Sequence, residues 1–328
     1  MARVCEEWFP LGSYPKQMLP GFFMEDNLKA QLDVLLKNNE NDWDFTIIIS
    51  AAGEVRVGKS VLAMQIGCYW TYSIWKKYNR TLPFDCKSNF VFDGQVLIEK
   101  GNYLGKHFPT AVLIFDEAGA DLEGRKTMQT ATQKVLDYFR ECGQYNLLNI
   151  LVIPEFFDLP KSIAMSRSIF LLDVYYNSDA EGFFERGYFK FYSRRNKKEL
   201  YRKGRKELNY SVAFPNFTGK FDNIYTIDKA EYKLMKQEAL KKRETKKVEI
   251  ETKFAKKMKR CFMIAVYLLY LRGYTMREIA EKVSEIGGMT IHKERISEYI
   301  TEISREVQLL RGSEPSIITN SPVEKIGS

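Results

Sequence analysis

A glycine-containing segment between a predicted strand and a predicted helix constrains the fold of this chain most. The segment runs from Gly53 to Ser60, and Gly58 and Lys59 stand directly before the serine. Residues 46–49 before it form an apolar, β-branched run, which is typical of a buried parallel strand. Apolar side chains recur at helical spacing after it. A strand, a glycine loop and a helix in this order predict an α/β fold.

The residue types in this segment suit the binding of a triphosphate. They match the pattern G-x-x-x-x-G-K-S of the P-loop, although an ordinary glycine turn before a helix would also fit the pattern. Two glycines let the backbone N–H groups point inward, and the helix N-terminus adds positive charge. Lys59 can reach the β- and γ-phosphates, and the Ser60 hydroxyl can ligate Mg²⁺. We therefore predict that ATP and Mg²⁺ bind here, with contacts from Gly53, Glu54, Val55, Arg56, Val57, Gly58, Lys59, Ser60 and Val61.

Two adjacent carboxylates follow a second buried strand, which is predicted over residues 110–115. They are Asp116 and Glu117, and they match the Walker B pattern. At the end of the strand, Asp116 would hold Mg²⁺ directly or through a water. Glu117 would polarise the attacking water as a general base, which favours ATP hydrolysis. The alternative is that Asp116 only caps the next segment.

Alternating strand and helix signals extend over residues 41–180. Buried strands are predicted over 146–153 and 168–174, and a long amphipathic helix over 123–145. Short connections between such elements imply a parallel sheet covered on both faces. The prediction is a parallel-sheet P-loop NTPase core, preceded by an N-terminal arm and a short helix over residues 1–40.

Two further side chains of this core are candidates for nucleotide sensing. Arg167 precedes a predicted strand and could act as an arginine finger on the nucleotide of a neighbouring subunit, or could have a structural role. Many motor ATPases place a polar amide at the end of the strand predicted here over residues 146–153, to sense the γ-phosphate. In this chain the strand ends in Pro154 and Glu155, so the sensor is either absent or replaced by Glu155.

Charge is distributed unevenly along the 328 residues. Residues 1–180 carry 18 basic and 22 acidic side chains, whereas residues 181–328 carry 32 and 20. A neutral first part and a basic second part suggest a catalytic core with an extension that faces nucleic acid. Solvated lysine-rich helices would give the same charge pattern.

Cysteine usage and the apolar runs indicate a cytoplasmic protein. The five cysteines are scattered without C-x-x-C spacing, which argues against a disulfide framework and a zinc site. The longest apolar run covers residues 261–271 and is too short to span a bilayer. No signal-peptide pattern is found at the N-terminus.

Aromatic and basic residues are mixed over residues 181–228. The pattern predicts a small β-hairpin extension whose basic turns lie at 196–198 and 203–205. Such side chains suit phosphate contacts and base stacking. A hairpin packed on the core, with its lysines in water, is an equal alternative. The candidate nucleic-acid contacts are Arg194, Arg195, Lys197, Lys198, Lys203 and Arg205.

The remaining residues predict a charged linker helix over 229–253, a helical unit over 254–311 and a disordered tail over 312–328. Thr275 and Glu278 form a capping box that opens a helix, and a glycine pair separates it from a polar-headed helix. This arrangement resembles the helix-turn-helix family of DNA-binding units. Three-helix packing without DNA binding is the alternative. The candidate contacts to duplex DNA are His292, Lys293 and Arg295.

The chain resembles the additional-strand P-loop ATPases in the order of its core motifs and in the sequences of residues 146–155 and 158–167. Within that class it is most similar to the FtsK–HerA and zonular-occludens-toxin-like group, over roughly residues 40–180. The resemblance implies a homo-oligomeric ring, usually a hexamer, that uses ATP to translocate or package duplex DNA. An ATP-dependent, site-specific DNA-binding switch is the second hypothesis. A small-molecule kinase is a third, which Glu117 and the basic C-terminal part disfavour.

Overall fold

A computed structural model describes residues 1–5, 21–118, 122, 130–178, 180–287 and 291–310. Most of the predicted N-terminal arm, the start of the helix predicted from residue 123 and the predicted disordered tail lie outside the described residues. The chain divides into two units, Met1–Leu240 and Lys241–Ser328.

The regular elements alternate in the first unit and are helical in the second. The strands are β1 (Ala2–Val4), β2 (Phe22–Met24), β3 (Phe45–Ser50), β4 (Phe90–Val91), β5 (Val112–Phe115), β6 (Leu148–Val152), β7 (Ser168–Ser178), β8 (Phe184–Tyr192) and β9 (Phe217–Lys220). The helices are α1 (Asp26–Asn39), α2 (Lys59–Tyr78), α3 (Cys86–Asn89), α4 (Gly94–His107), α5 (Thr130–Glu141), α6 (Arg194–Gly204), α7 (Lys229–Leu271), α8 (Met276–Gly287) and α9 (Lys293–Leu310).

The central sheet has seven strands in the order β4-β5-β6-β3-β7-β8-β9. The first five strands are parallel, and β8 and β9 continue the sheet in antiparallel pairing. This confirms the prediction of an α/β fold with a mostly parallel sheet, which fits a P-loop NTPase core. β6 lies between β3, which precedes the glycine loop, and β5, which precedes the two carboxylates. Because parallel strands end at the same edge, both motifs lie at the carboxyl edge of the sheet.

Both faces of the sheet are buried under helices. Successive side chains of β3 point to opposite faces and therefore pack in two different core clusters. Ile47 and Ile49 of β3 pack in one core cluster, with side chains of α1 and α2. Ile48 packs in the other cluster, with side chains of α4 and α5. The continuous apolar run that predicted β3 is therefore explained by helices on both faces.

The prediction of a small β-hairpin extension over residues 181–228 was wrong in two respects. β8 and β9 do not form a separate extension, because β8 pairs with β7 and β9 pairs with β8, so that both strands continue the central sheet. The residues expected in basic turns lie in or next to helix α6. Four positions at helical spacing form the buried stripe of α6 and explain the helix; they are Lys197, Leu200, Tyr201 and Gly204.

The C-terminal helices include one long helix, since α7 continues through the boundary predicted at residue 254. Gly273 follows it with a φ of +90°, which glycine tolerates without steric cost. The predicted capping box is formed, because Thr275 N donates to Glu278 Oε2 at 2.8 Å and Glu278 N donates to Thr275 Oγ1 at 3.3 Å. The three helices share a core of Val266, Ile279, Ala280, Ile296 and Ile300. Among the described residues, no helix is long and apolar enough to cross a membrane.

Candidate functional site

The glycine loop has backbone conformations that its glycines make possible. Gly53 and Gly58 have φ values of +80° and +106°, in the region that L-residues with side chains rarely adopt. Gly53 N donates to Pro154 O at 3.0 Å, which fixes the loop to the end of β6. A Cβ at Gly58 would lie 3.1 Å from the ring of Phe221. Both glycines of the motif are therefore required by backbone geometry, and Gly58 also by close packing.

Lys59 spans the loop that precedes it. Its ammonium donates to the backbone O of Glu54 at 2.6 Å. Burial lowers the pKa of Lys59, against the opposing effect of the nearby carboxylates of Glu117 and Asp116. The ammonium therefore lies at the loop, where a phosphate oxygen would offer it a stronger acceptor than a carbonyl.

Ser60 and Asp116 are brought together from motifs 56 positions apart. The Ser60 hydroxyl lies 3.2 Å from Asp116 Oδ1 and 3.1 Å from Asp116 Oδ2. Mg²⁺ prefers hard oxygen ligands and is usually held by one or two protein oxygens together with substrate phosphates. The hydroxyl and the carboxylate fit that requirement, so these two residues would hold Mg²⁺ beside the loop.

Glu117 has an unusual backbone conformation at the end of β5. Its φ is +60°, which is uncommon for a residue with a side chain and is often found at functional sites. Its side chain is 38% exposed, whereas that of Asp116 is 1% exposed. A water molecule can therefore reach the carboxylate of Glu117, as a general base requires.

A cavity of about 400 Å³ joins the glycine loop to the two carboxylates. This volume falls within the range of small-molecule sites. The lining includes the predicted nucleotide contacts Val55 to Val61 and also residues from β8 and the segment before α7. The lining residues outside the two motifs are Val152, Ile153, Pro154, Arg186, Gly187, Phe221, Asn223, Tyr225, Tyr232 and Lys236.

Two residues of the predicted linker helix lie at the carboxylates and were missed by sequence reasoning. The Tyr232 hydroxyl donates to Asp116 Oδ2. Lys236 Nζ lies 3.1 Å from Asp116 Oδ2 and 2.8 Å from Glu117 Oε1. Burial alone would lower the pKa of Lys236, but the charges and hydrogen bonds of the two carboxylates raise it. The only sequence signal was the four-residue spacing that places Tyr232 and Lys236 on one helix face.

The segment that connects β9 to α7 is held against helix α2. The Gln65 side-chain amide donates to the backbone O of Asp222 at 2.6 Å and of Ile224 at 3.1 Å. The Thr226 hydroxyl donates to the backbone O of Met64 at 2.9 Å. These contacts bring the start of α7 beside the P-loop helix.

Arg167 lies away from the glycine loop of its own chain. It precedes β7, at the amino edge of the parallel strands, and its Nη2 pairs with Asp44 Oδ2 at 3.0 Å. This ion pair gives Arg167 a structural contact within the chain. Its action as a finger on a neighbouring subunit stays a prediction.

Glu155 lies close to the glycine loop. Its Oε2 would be 4.0 Å from a Cβ at Gly53. Its Oε1 accepts hydrogen bonds from the Tyr210 hydroxyl and, at 3.1 Å, from Phe157 N. The carboxylate is therefore held in place, while its replacement of a sensor amide stays a prediction.

The predicted nucleic-acid residues differ in exposure. Lys197 was a wrong choice for a nucleic-acid contact, because it is fully buried and donates to the backbone O of Ser168 at 2.5 Å. Lys198 is half-buried, and Lys203 pairs with Glu199 at 2.6 Å. Lys203 is exposed, and so are the remaining predicted contacts; they are Arg194, Arg195 and Arg205 on or next to α6, and His292, Lys293 and Arg295 at or next to the start of α9.

Comparisons with known proteins add a weak structural likeness. No protein-family model matches the chain, and no curated protein matches it. Among solved structures, it is similar to the genome packaging NTPase B204 of Sulfolobus turreted icosahedral virus 2, in complex with AMPPCP, with 14% identity and a TM-score of 0.31. It is also similar to B204, the DNA-packaging ATPase of Sulfolobus turreted icosahedral virus, with 15% identity and a TM-score of 0.32. Each match covers 48% of this chain and 95% of the other, and at these scores neither carries a function over.

Proposed function

We propose that this protein is a P-loop ATPase that hydrolyses ATP to ADP and phosphate. The observation that carries the proposal is the contact between Ser60 and Asp116 at one cavity. Lys59 and Glu117 line the same cavity. A phosphate-binding loop, a metal-binding oxygen pair and an accessible carboxylate are the parts that phosphoryl transfer to water requires.

The residues divide the reaction between them. Lys59 and the backbone N–H groups of the loop bind the phosphates and hold the γ-phosphate in position. Ser60 and Asp116 would hold Mg²⁺, which neutralises charge on the phosphate oxygens. Glu117 orients a water and accepts its proton as the water oxygen bonds to the γ-phosphorus. The bond between that phosphorus and the bridging oxygen then breaks, and ADP leaves.

We further propose that the ATPase acts on duplex DNA as a translocating or packaging motor and assembles as a homo-oligomeric ring, with a hexamer as the expected form. The resemblance to the FtsK–HerA group supports this proposal, and so does the position of β6 between β3 and β5, which agrees with the additional-strand class. The basic residues of the chain after position 180 support a contact with phosphates. We expect the protein to act in the cytoplasm of a prokaryotic cell or a virus-infected host cell.

The motor proposal predicts a particular dependence on DNA and salt. ATP turnover is measured with and without random-sequence duplex DNA, at two salt concentrations. Stimulation by DNA that weakens as salt rises is the expected result, because phosphate contacts release counterions. Turnover that DNA of any sequence leaves unchanged would contradict a motor.

A site-specific switch is the second candidate, and one observation favours it. His292, Lys293 and Arg295 are exposed at the start of α9, which follows the capped helix α8. Side chains near the start of such a helix are those that read base edges in helix-turn-helix proteins. A switch would bind one selected duplex sequence tightly and turn over ATP slowly, whereas a motor hydrolyses ATP on any duplex. Binding selection from a random duplex library separates the two.

A further inference from the structure

The start of helix α7 supplies two hydrogen-bond donors to the carboxylates of the candidate site. Lys236 Nζ lies between Asp116 Oδ2 and Glu117 Oε1, at 3.1 and 2.8 Å. One helical turn earlier, the Tyr232 hydroxyl donates to the same oxygen of Asp116. These contacts join residues more than 110 positions apart, and nothing in the proposed hydrolysis uses them.

The oxygens of Asp116 are surrounded by donors. Oδ2 contacts the Ser60 hydroxyl at 3.1 Å, the Lys236 ammonium at 3.1 Å and the Tyr232 hydroxyl. Oδ1 contacts the Ser60 hydroxyl at 3.2 Å and the backbone N–H of Glu117 at 3.0 Å. The single proton of the Ser60 hydroxyl can bond only one of the two oxygens at a time. A carboxylate oxygen accepts about two hydrogen bonds, and the Tyr232 hydroxyl and the Lys236 ammonium already supply that number, so they leave Oδ2 no site for a metal. A metal ion at this oxygen therefore requires that one donor leaves.

Lys236 is the donor that a metal ion would displace. Ser60 and Tyr232 are neutral, whereas two cations on one carboxylate oxygen repel each other in a partly buried site. The side chain of Lys236 is 26% exposed, so it borders solvent. Tyr232 is 5% exposed and packs in the core beside α2, so it has no comparable freedom.

We propose that Lys236 is an internal competitor of Mg²⁺, which neutralises Asp116 and Glu117 and leaves Asp116 when metal-bound nucleotide enters. This inference rests on the proposed nucleotide site and adds a regulation of it. The same ammonium holds Glu117, so metal entry also releases the carboxylate that would orient water. Helix α7 thereby sets the Mg²⁺ concentration at which the site accepts nucleotide, and Tyr232 keeps the helix in place while the lysine moves.

The test measures nucleotide binding as a function of Mg²⁺ concentration. A fluorescent ADP analogue is titrated against the full-length protein and its Lys236→Met and Lys236→Gln variants. ADP lacks the γ-phosphate, so the experiment reports the metal effect without hydrolysis. The half-saturating Mg²⁺ concentration should fall about tenfold in both variants, a size typical of coupling between two sites.

Two control variants separate charge from a general effect on the helix. Lys233 lies exposed on the same part of α7, so Lys233→Met should retain the Mg²⁺ dependence of the unchanged protein. Lys236→Arg keeps the positive charge and should also retain it. A thermal melt of each variant checks that it is folded. Two neutral substitutions, Met and Gln, are used so that the test still works if one of the two variants does not fold.

Two results would overturn the competition. An unchanged Mg²⁺ dependence in both neutral variants would show that Lys236 does not compete with the metal. Weaker nucleotide binding at every Mg²⁺ concentration would assign Lys236 to phosphate binding instead.

Failure of the nucleotide site itself has a different signature. If the unchanged protein binds no nucleotide at any Mg²⁺ concentration, or if Lys59→Ala binds as tightly as the unchanged protein, the proposed function fails and the competition fails with it. Loss of binding in Lys59→Ala, together with an unchanged Mg²⁺ dependence in the Lys236 variants, rejects the competition alone.

Discussion

Asp116 and Glu117 are neighbours in the sequence but have different surroundings in the fold. Asp116 ends the buried strand β5 and is almost fully enclosed, with the Ser60 hydroxyl beside it. Glu117 turns away from the strand direction through a positive φ and remains partly exposed. A buried carboxylate beside a hydroxyl suits metal binding, whereas an accessible carboxylate suits a proton acceptor. Of the adjacent pair, Asp116 is therefore suited to metal binding and Glu117 to accepting a proton from water.

Glu117→Gln tests this division of roles. The amide keeps the size of the side chain but cannot accept a proton from water. We expect nucleotide binding to persist and turnover to fall by about 100-fold or more, as for the loss of a general base. Binding is measured with a fluorescent nucleotide and turnover by phosphate release. Lys59→Ala is the matched comparison, since it should lose binding and turnover together, and normal turnover in Glu117→Gln would remove the catalytic assignment.

Asp173 is a second buried carboxylate, on β7 beside the end of β3. It accepts a hydrogen bond from the Ser50 hydroxyl at 3.3 Å, and burial raises its pKa from 3.8 to about 6. The folded chain therefore binds a proton between these two values that the unfolded chain has released. The free energy of unfolding falls as the pH rises through this window, and the loss persists above it.

Asp173→Asn should remove this cost of ionisation. We expect the variant to be more stable than the unchanged protein near pH 8, by at most about 3 kcal/mol, because one pKa unit corresponds to about 1.4 kcal/mol. The gain should be smaller near pH 5, where the native carboxyl is mostly protonated. Urea unfolding at the two pH values measures it. Asp137, whose side chain is 44% exposed, should show no comparable change when it is substituted in the same way. An equal gain at both pH values in Asp173→Asn would contradict the explanation.

At the scale of elements, helix α6 separates a buried face from an exposed basic face. Lys197 lies on the buried face, and burial lowers its pKa to about 7. Arg194 and Arg195 of the same helix are exposed. Basic residues that are adjacent in the sequence therefore have different roles, because the helical period places them on different faces.

Lys197→Met should stabilise the fold near pH 7 or leave it unchanged, since it replaces a buried lysine by an apolar side chain of similar length. The folded chain holds the Lys197 proton less tightly than the unfolded chain, so the stability of the unchanged protein should rise from about pH 7 towards pH 10. That rise should be smaller in the variant, as measured by urea unfolding across this range.

The DNA affinity of Lys197→Met should equal that of the unchanged protein, whereas Arg194→Ala with Arg195→Ala should lower the DNA affinity. A loss of DNA binding in folded Lys197→Met would contradict the buried placement.

At the scale of the whole molecule, the C-terminal unit carries exposed polar and basic side chains on α9 over a small apolar core. Replacing His292, Lys293 and Arg295 together by Ala should lower DNA affinity and leave the ATPase rate without DNA unchanged, because the nucleotide site lies in the other unit. Gel-shift titration at fixed salt measures the affinity. Lys241→Ala with Lys242→Ala is a control of similar charge change, and equal losses in both proteins would indicate a nonspecific charge effect.

Local patterns accounted for the core strands and for both motifs of the candidate site. β3, β5 and β6 follow from continuous apolar runs, and the capping box of Thr275 and Glu278 follows from its spacing. The helix α6 was missed because a charged residue, Lys197, occupies its buried stripe and hides the apolar period. The antiparallel pairing of β8 with β7, which joins β8 and β9 to the central sheet, was missed because packing, rather than the local sequence, decides which strands pair.

The sequence by itself determined which residues are candidates for binding phosphate and metal, because the requirements of such sites are short-range: a glycine where φ must be positive, a lysine beside it, and carboxylates directly after a buried strand. Only the tertiary structure decided that Ser60 meets Asp116 and that Tyr232 and Lys236 meet the same carboxylate. Those contacts depend on strand order and on how the segment before α7 packs against α2. A helix read in isolation shows which side chains share a face, but the free energy of burying that face against a distant part of the chain is not encoded in its local pattern.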